Sequence, residues 1–377
     1  MTAGTRSLKA LDFFAGSGLV RLGLEPDFET VWANDVSPKK AMVHHANFNG
    51  DAFVLRDIQE ISGALLPSAD LAWASFPCQD LSLAGNLNGM KAGTRSGLFW
   101  EWMRVLDEMA QSRRAPRILV AENVVGFLVA NDGADFRTAY RALRDRGYLV
   151  GAIVLDAKSF VPQSRPRAFL IAAREGIDLR GLVLGGPSAP FHPASVVRGA
   201  VSVADPDWLW WSLPIPSGRV AKFSDVCERN ALAEEISVRE FQKMLSPINR
   251  DKLDAAMQFG RLLCGTGYKR TRPVEDGPRR TFLELRFDGI AGCLRTPEGG
   301  SSRQIVVLVE KGRVRTRLLT VRECARLMGA PDSFRVPGTY NDGYRAMGDA
   351  VAVPVTRWLA QHLLLPIAQR RAKKRAA

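Results

Sequence analysis

Short apolar runs bounded by turn residues recur along the first half of the chain, with helical patterns between them. The runs cover 8–14, 31–34, 53–55, 71–75, 118–121, 149–155 and 168–173; helical patterns cover 17–24, 38–47, 98–111 and 134–146. Such runs read as strands buried on both faces. Their alternation with helices predicts an α/β fold, a mostly parallel sheet of about seven strands with helices on both faces. In open sheets of this kind the chemistry sits beyond the carboxyl ends of the strands. Two runs end in reactive residues: 70–75 leads into Phe76-Pro77-Cys78-Gln79, and 117–121 into Glu122-Asn123-Val124. One rim thus receives a thiol and a carboxylate. That layout suits covalent catalysis, with Cys78 as nucleophile and Glu122 as acid or hydrogen-bond partner. A lone cysteine is more often buried and inert, but Pro77 before it and Gln79-Asp80 after it argue against a packed interior position.

At 377 residues the chain suits two domains of unequal size. No apolar run approaches bilayer-spanning length, and the first residues carry no apolar signal core, so a cytoplasmic protein is expected. The five cysteines (78, 227, 264, 293 and 324) are odd in number and none are spaced as a metal knuckle, which speaks against disulfides and structural zinc. The net charge of +13, from 52 Lys plus Arg against 39 Asp plus Glu, fits a polyanionic partner. A solvated basic surface is the blander reading of the same number. From about 177 to 290 neither regular period holds, and a second, irregular domain is expected there. Helical pattern returns at 320–328 and 355–365.

Six motifs then follow one another in a telling order. They are Asp12-Phe13-Phe14-Ala15-Gly16-Ser17-Gly18; Phe76-Pro77-Cys78-Gln79; Glu122-Asn123-Val124; Gln163-Ser164-Arg165-Pro166-Arg167; Arg317-Leu318-Leu319-Thr320 through Glu323, Arg326, Leu327 and Gly329; and Gly348-Asp349-Ala350-Val351. Each is weak alone; in this order they are specific. The chain resembles the bacterial DNA (cytosine-5-)-methyltransferases, which depend on S-adenosylmethionine. The resemblance covers most of the chain outside the variable stretch. It implies a Rossmann-like methyltransferase sheet with a smaller irregular target-recognition domain. The expected division is 1–185 for catalysis, 186–337 for target recognition with a hinge helix, and 338–377 returning to the catalytic domain with a basic tail.

The resemblance also implies roles. S-adenosylmethionine, leaving as S-adenosylhomocysteine, is expected at Phe14, Gly16, Ser17, Gly18, Asp35, Asp57, Ile58, Pro77, Leu98, Asp349 and Val351, with no metal. Gly16-Ser17-Gly18 lies between strand and helix, where glycine lets a ligand approach the backbone, and its spacing lacks the dinucleotide fingerprint. Asp35 ends the second strand, where a carboxylate accepts ribose hydroxyls; Asp57 is placed for the adenine amino group. Helix capping is the alternative for both aspartates. Asp349 stands where the family often has asparagine, adding a negative charge beside the expected methionine moiety.

For the base, the resemblance implies thiolate attack by Cys78 at carbon 6, Glu122 at ring nitrogen 3, Arg167 at the carbonyl oxygen, and Arg165 supporting the thiol and a phosphate. Asn123 is expected to orient Glu122 and the local backbone. A mobile cover is expected at 79–96, with Gln79, Ser82, Arg95 and Ser96 meeting DNA. Arg270, Arg272, Arg279, Arg280 and Arg303 are the candidates for reading bases, since arginine pairs with guanine in the major groove while lysine more often meets phosphate. Trp208, Trp210 and Trp211 read as packing. The expected partner of this monomer is double-stranded DNA, with a cognate restriction endonuclease a further candidate and no membrane. Two alternatives stay open on sequence: a tRNA cytosine-5 methyltransferase, and a catalytically silent DNA-binding regulator.

Overall fold

The computed structural model of the protein describes residues 7–50, 52–77, 97–218, 221–274, 277–295 and 303–370, with the backbone alone for 272–274 and 277–279. The first half is a seven-stranded sheet built from β1 (Leu8–Phe13), β2 (Phe28–Asp35), β3 (Phe53–Leu55), β4 (Leu71–Ala74), β5 (Ile118–Val124), β6 (Tyr148–Asp156) and β7 (Pro166–Arg174). Their order is β3-β2-β1-β4-β5-β7-β6. β1, β2, β3, β4 and β5 pair in parallel, and β7 runs antiparallel to β5. The chain order reverses between β1 and β4, so the carboxyl ends of these strands border the crevice where α/β sheets bind ligands.

Both faces of the sheet are covered. Leu11 and Phe13 of β1 point into a core with Phe99, Trp102, Met103 and Leu106 of helix Gly97–Gln111 and Phe136, Ala139 and Tyr140 of helix Ala134–Arg144. On the opposite face Ala15, Ala33 and Phe53 pack against Ala41 of helix Pro38–Asn47. That helix begins as its sequence demands, with Pro38 in the first turn and the Ser37 hydroxyl accepting from the Lys40 amide at 3.4 Å. The Trp208 ring stacks on Tyr140 at 5.3 Å and Trp211 is fully buried, so these tryptophans are packing residues.

The described residues divide into two compact units, Met1–Leu155, Pro166–Ile215 and Val355–Ala377 in one, Asp156–Arg165 and Pro216–Pro354 in the other. These bounds fall later than the divisions expected at 185 and 337. Residues 186–215 go with the first unit because the Leu209 amide donates to the Val150 carbonyl at 3.0 Å. A Cβ on Gly151 would lie 2.0 Å from the Leu209 carbonyl oxygen, so only glycine permits that contact. Helix Tyr340–Asp349 goes with the second, where the Tyr344 hydroxyl accepts from the Gln304 amide at 3.0 Å.

The second unit corrects the expectation of irregular structure. A two-stranded pair, β8 (Val183–Leu184) and β9 (Trp210–Trp211), belongs to the first unit. The second contains a four-stranded antiparallel sheet of β10 (Leu263–Val274), β11 (Gly277–Arg286), β12 (Ile305–Glu310) and β13 (Arg313–Leu318), ordered β11-β10-β12-β13. One face packs Leu283, Leu285, Ile305, Val307 and Val309 against Leu253 and Ala256 of helix Pro247–Gln258. After β13, Thr320 and Glu323 form a capping box for helix Val321–Leu327. The buried Glu323 carboxylate also pairs with Arg317 at 2.7 Å. The fifth motif is thus a helix cap welded to the last strand.

Among the described residues one helical stretch, Tyr340–Gln369, is long and apolar enough to cross a bilayer by length and composition, contrary to the expectation from single apolar runs. More than half of its apolar window (56%) is buried within the protein, as in a core helix.

Candidate active site

The loop after β1 turns three times through the left-handed region, at Phe14 (φ 59°), Gly16 (φ 57°) and Gly18 (φ 85°). For Phe14 this conformation is costly, and it persists because its surroundings fix it. The two glycines serve different ends. A Cβ on Gly18 would lie 2.5 Å from Phe48 Cε2 and 2.8 Å from His44 Cδ2, so Gly18 exists for close packing. A Cβ on Gly16 would find nothing nearer than 3.8 Å, which leaves the backbone there open to a ligand. Ser17 is buried, Phe14 and Leu98 are half-buried against the core, and the Ile58 side chain is fully inside it.

Asp35 is buried at the end of β2. Its Oδ2 accepts from the Gly16 amide at 3.0 Å and its Oδ1 from the Ser37 amide at 2.8 Å. The carboxylate therefore braces the glycine loop; Ser37, not Asp35, caps the following helix. Asp57 accepts from the Gln59 amide at 3.0 Å and caps the short turn Ile58–Glu60, the capping role held open for it. The Asn34 amide group donates to the Arg56 carbonyl at 3.1 Å, which ties the ends of β2 and β3 and keeps both aspartates on one rim. Val36 (63% exposed) and Leu55 (46%) flank them as uncovered apolar surface.

Two buried polar residues under the loop drew no role from sequence. Asp12 is fully buried and neither carboxylate oxygen has a partner among the described residues. Burial, then the charge of Asp35, pushes its pKa well above the usual carboxylate range, against the pull of Arg21. The His44 ring, also without a partner for either nitrogen, is held down at about 3 by burial and then by Arg21 and His45. The signal for Asp12 was an acidic residue inside a buried strand; His44, on helix Pro38–Asn47, had none.

The second half of the rim is built by β4, β5 and β7. The Asn123 side chain donates to the Phe76 carbonyl at 3.2 Å and accepts from the Val124 amide at 2.8 Å. It clamps the end of β5 to the segment leading into Cys78, a role more specific than orienting Glu122. Phe76 is anchored by edge contacts to Phe99 and Phe127 at 5.6 and 5.9 Å, and Pro77 is exposed. Cys78, Gln79, Ser82, Arg95 and Ser96 lie outside the described residues. Glu122 is buried, and its Oε1 meets the Arg167 Nε at 3.2 Å. Glu122 pairs with Phe169 across the antiparallel strands, which puts Arg167 on the adjacent diagonal of the same face.

Arg165 is engaged elsewhere, within the second unit. Its guanidinium donates to the carbonyls of Leu294 (2.9 Å), Gly348 (2.7 Å) and Ala350 (2.7 Å). It thus fixes the turn carrying Asp349, which is exposed, and Val351, which is buried. Of the arginines expected to read bases, Arg270 and Arg280 are exposed on β10 and β11. The side chains of Arg272 and Arg279 are not described. Arg303 hydrogen-bonds Asn341 and lies over the Tyr340 ring at 5.4 Å. No cluster of metal-ligating side chains occurs among the described residues.

A doubly covered sheet with a glycine loop and two carboxylates at one end of its rim, and a buried glutamate paired with an arginine at the other, is a group-transfer scaffold. The family model described as C-5 cytosine-specific DNA methylase matches residues 8–207 and 256–364, and the chain belongs to that family. It is therefore a DNA (cytosine-5-)-methyltransferase. Among its relatives, the Type II methyltransferase M.NlaX of Neisseria lactamica is 27% identical over 361 residues, covering 94% of this chain and 96% of that one. M.HhaI of Haemophilus parahaemolyticus is 26% identical, covering 94% of each chain, and M.MspI of Moraxella sp. is 24% identical, covering 97% of this chain and 72% of its own. In fold, the Dnmt2 methyltransferase of S. pombe superposes with a TM-score of 0.57 at 18% identity, covering 95% and 98% of the two chains. A putative DNA modification methyltransferase from an E. coli prophage gives 0.56 at 18%, covering 94% and 98%.

Proposed function

We propose that the chain transfers a methyl group from S-adenosylmethionine to carbon 5 of a cytosine flipped out of duplex DNA, through a covalent bond from Cys78 to carbon 6. The observation that carries this reading is the buried Glu122 paired with a half-buried Arg167, beside the Asn123 clamp on the segment that leads into Cys78.

The first half of the rim suits the cofactor. Gly16 leaves an open approach, Asp35 keeps lone pairs for ribose hydroxyls, Asp57 sits one strand over, and Val36 and Leu55 offer apolar surface to a purine. When bound, S-adenosylmethionine supplies an electrophilic methyl group. Everything else falls to side chains. Carbon 5 of cytosine is a poor nucleophile until the Cys78 thiolate adds to carbon 6 and pushes electrons toward carbon 5. Glu122 holds or protonates ring nitrogen 3 as that charge develops, and Arg167 orients Glu122 and meets the base carbonyl. After methylation a base removes the hydrogen on carbon 5, and the thiolate leaves as the ring double bond reforms. A base inside a duplex does not reach such a rim, so flipping is required.

The protein acts as a monomer in the cytoplasm, and a matching restriction endonuclease would make it the modification half of a pair. The test is a duplex carrying 5-fluorocytosine at the target. Wild type should form a covalent complex and Cys78→Ser none, with S-adenosylmethionine binding retained. Turnover by the serine variant, or methyl transfer to tRNA in place of duplex DNA, overturns the reading.

A further inference from the structure

β10 outruns its neighbour. It pairs with β12 only from Leu263 to Gly267, but continues against β11 to Val274. From Tyr268 onward β10 and β11 are therefore a two-stranded ribbon, about 20 Å long at the usual rise per residue. A bulge between Arg272 and Val274, around Pro273, ends the regular pairing.

The register sorts the ribbon's side chains. Directly opposed residues share a face, and faces alternate along each strand. Lys269 opposes Leu283 and Thr271 opposes Thr281. Leu283 is fully buried in the apolar core, whereas Lys269, Thr271 and Thr281 beyond it are exposed, with the two threonine hydroxyls 3.0 Å apart. Arg270 opposes Phe282 on the other face, which Arg280, two residues before Phe282, shares. Arg270 and Arg280 are exposed, and neither has an ion pair among the described residues. Arg303, by contrast, is committed to Asn341 and Tyr340.

We infer that this arginine face enters the major groove of duplex DNA and makes guanine the base it specifies. This rests on the DNA-methylation reading above. The major groove is about 12 Å wide and admits a two-stranded ribbon. Arginine forms two parallel bonds to guanine O6 and N7, whereas adenine calls for asparagine or glutamine. Residues 268–284 hold four arginines and neither of those amides. The hydrogen-bonded code available to the ribbon is dominated by guanine.

The full-length protein and its R270A, R280A and R270Q variants should be tested in two ways: mapping methylated cytosines in DNA from a methylation-free host, and sequencing duplexes that the purified proteins retain from a random pool. Wild type should return a motif with at least one fixed guanine beyond the target base pair. R270A or R280A should relax a fixed guanine by about tenfold to a hundredfold, the reach of one bidentate contact. A motif unchanged in all three variants, or one without such a guanine, overturns the inference. If the pool selects a guanine motif that the arginine variants relax while no cytosine is methylated, the ribbon stands and the catalytic reading falls.

Discussion

The carboxyl rim of the large sheet and the ribbon of the small one solve opposite problems. At the rim, polar groups are buried and held: Glu122 by Arg167, Asn123 between two backbone groups, Asp35 between two amides. On the ribbon, Arg270 and Arg280 are exposed and keep their donors for something else. A rim built this way is preorganised, so substitutions there should change rate. A ribbon built this way should change what is bound, and leave folding and chemistry alone.

The largest break in that contrast comes at Glu122. Glu122→Gln removes the acid while keeping the shape, and should slow methyl transfer by about 10²-fold or more with little change in DNA affinity. A wild-type rate across neutral pH would make Glu122 structural. Next come the two glycines of one loop. Gly18→Ala must fit a methyl group where 2.5 Å is available and hold a left-handed conformation, and should cost about 2–4 kcal/mol in denaturant unfolding. Gly16→Ala meets only ordinary contacts, none nearer than 3.8 Å, and should cost only about 1 kcal/mol, yet weaken S-adenosylmethionine binding more than Gly18→Ala does in a refolded sample. Equal losses of stability and affinity at both sites would erase the distinction.

A smaller effect lies under the loop. Because His44 is held at about 3 when folded against an ordinary 6.5, the unfolded chain takes up a proton that the folded chain refuses. Its contribution is intact above pH 6.5 and is lost progressively as pH falls toward 3. His44→Leu should therefore flatten the decline of melting temperature between pH 6.5 and 4 relative to wild type. A steeper decline in the variant would reverse the sign and sink the assignment. Asp12 works oppositely: its raised pKa favours the fold in acid and disfavours it as pH rises past 3.8, so the comparison must be made within the same background. The smallest effect is expected on the ribbon. Arg280→Ala should leave stability within about 0.5 kcal/mol, as exposed substitutions usually do.

Much of the rim was legible in the sequence, because continuous apolar runs such as 118–121 and 168–173 are too short for helices and are bounded by turn residues, which favours buried strands. What each polar residue there does was harder to read. Asn123 reads from the sequence as a local orienter, whereas its side-chain amide donates to the Phe76 carbonyl, 47 residues away. The β10–β11 ribbon escaped detection for a physical reason. Gly265 and Gly267 stand where alternating apolar residues would have signalled a strand. A Cβ at Gly265 would lie 2.5 Å from the Phe287 ring, and one at Gly267 3.0 Å from Leu285. Beyond them the strand carries charge on a face that no core covers, so hydrophobic periodicity has nothing to record.

Arg165 has a consequence for how the chain matures. Its guanidinium is closed by carbonyls 129, 183 and 185 residues further on. Contacts of such span form late, since the long loop must close before they are rewarded. During synthesis the arginine emerges long before Gly348 and Ala350 exist. A nascent chain stopped short of them has a cation with no place in a finished interior. Completion of the fold is thereby tied to completion of translation, and chains truncated before 348 should be cleared by proteases instead of lingering as half-formed enzymes.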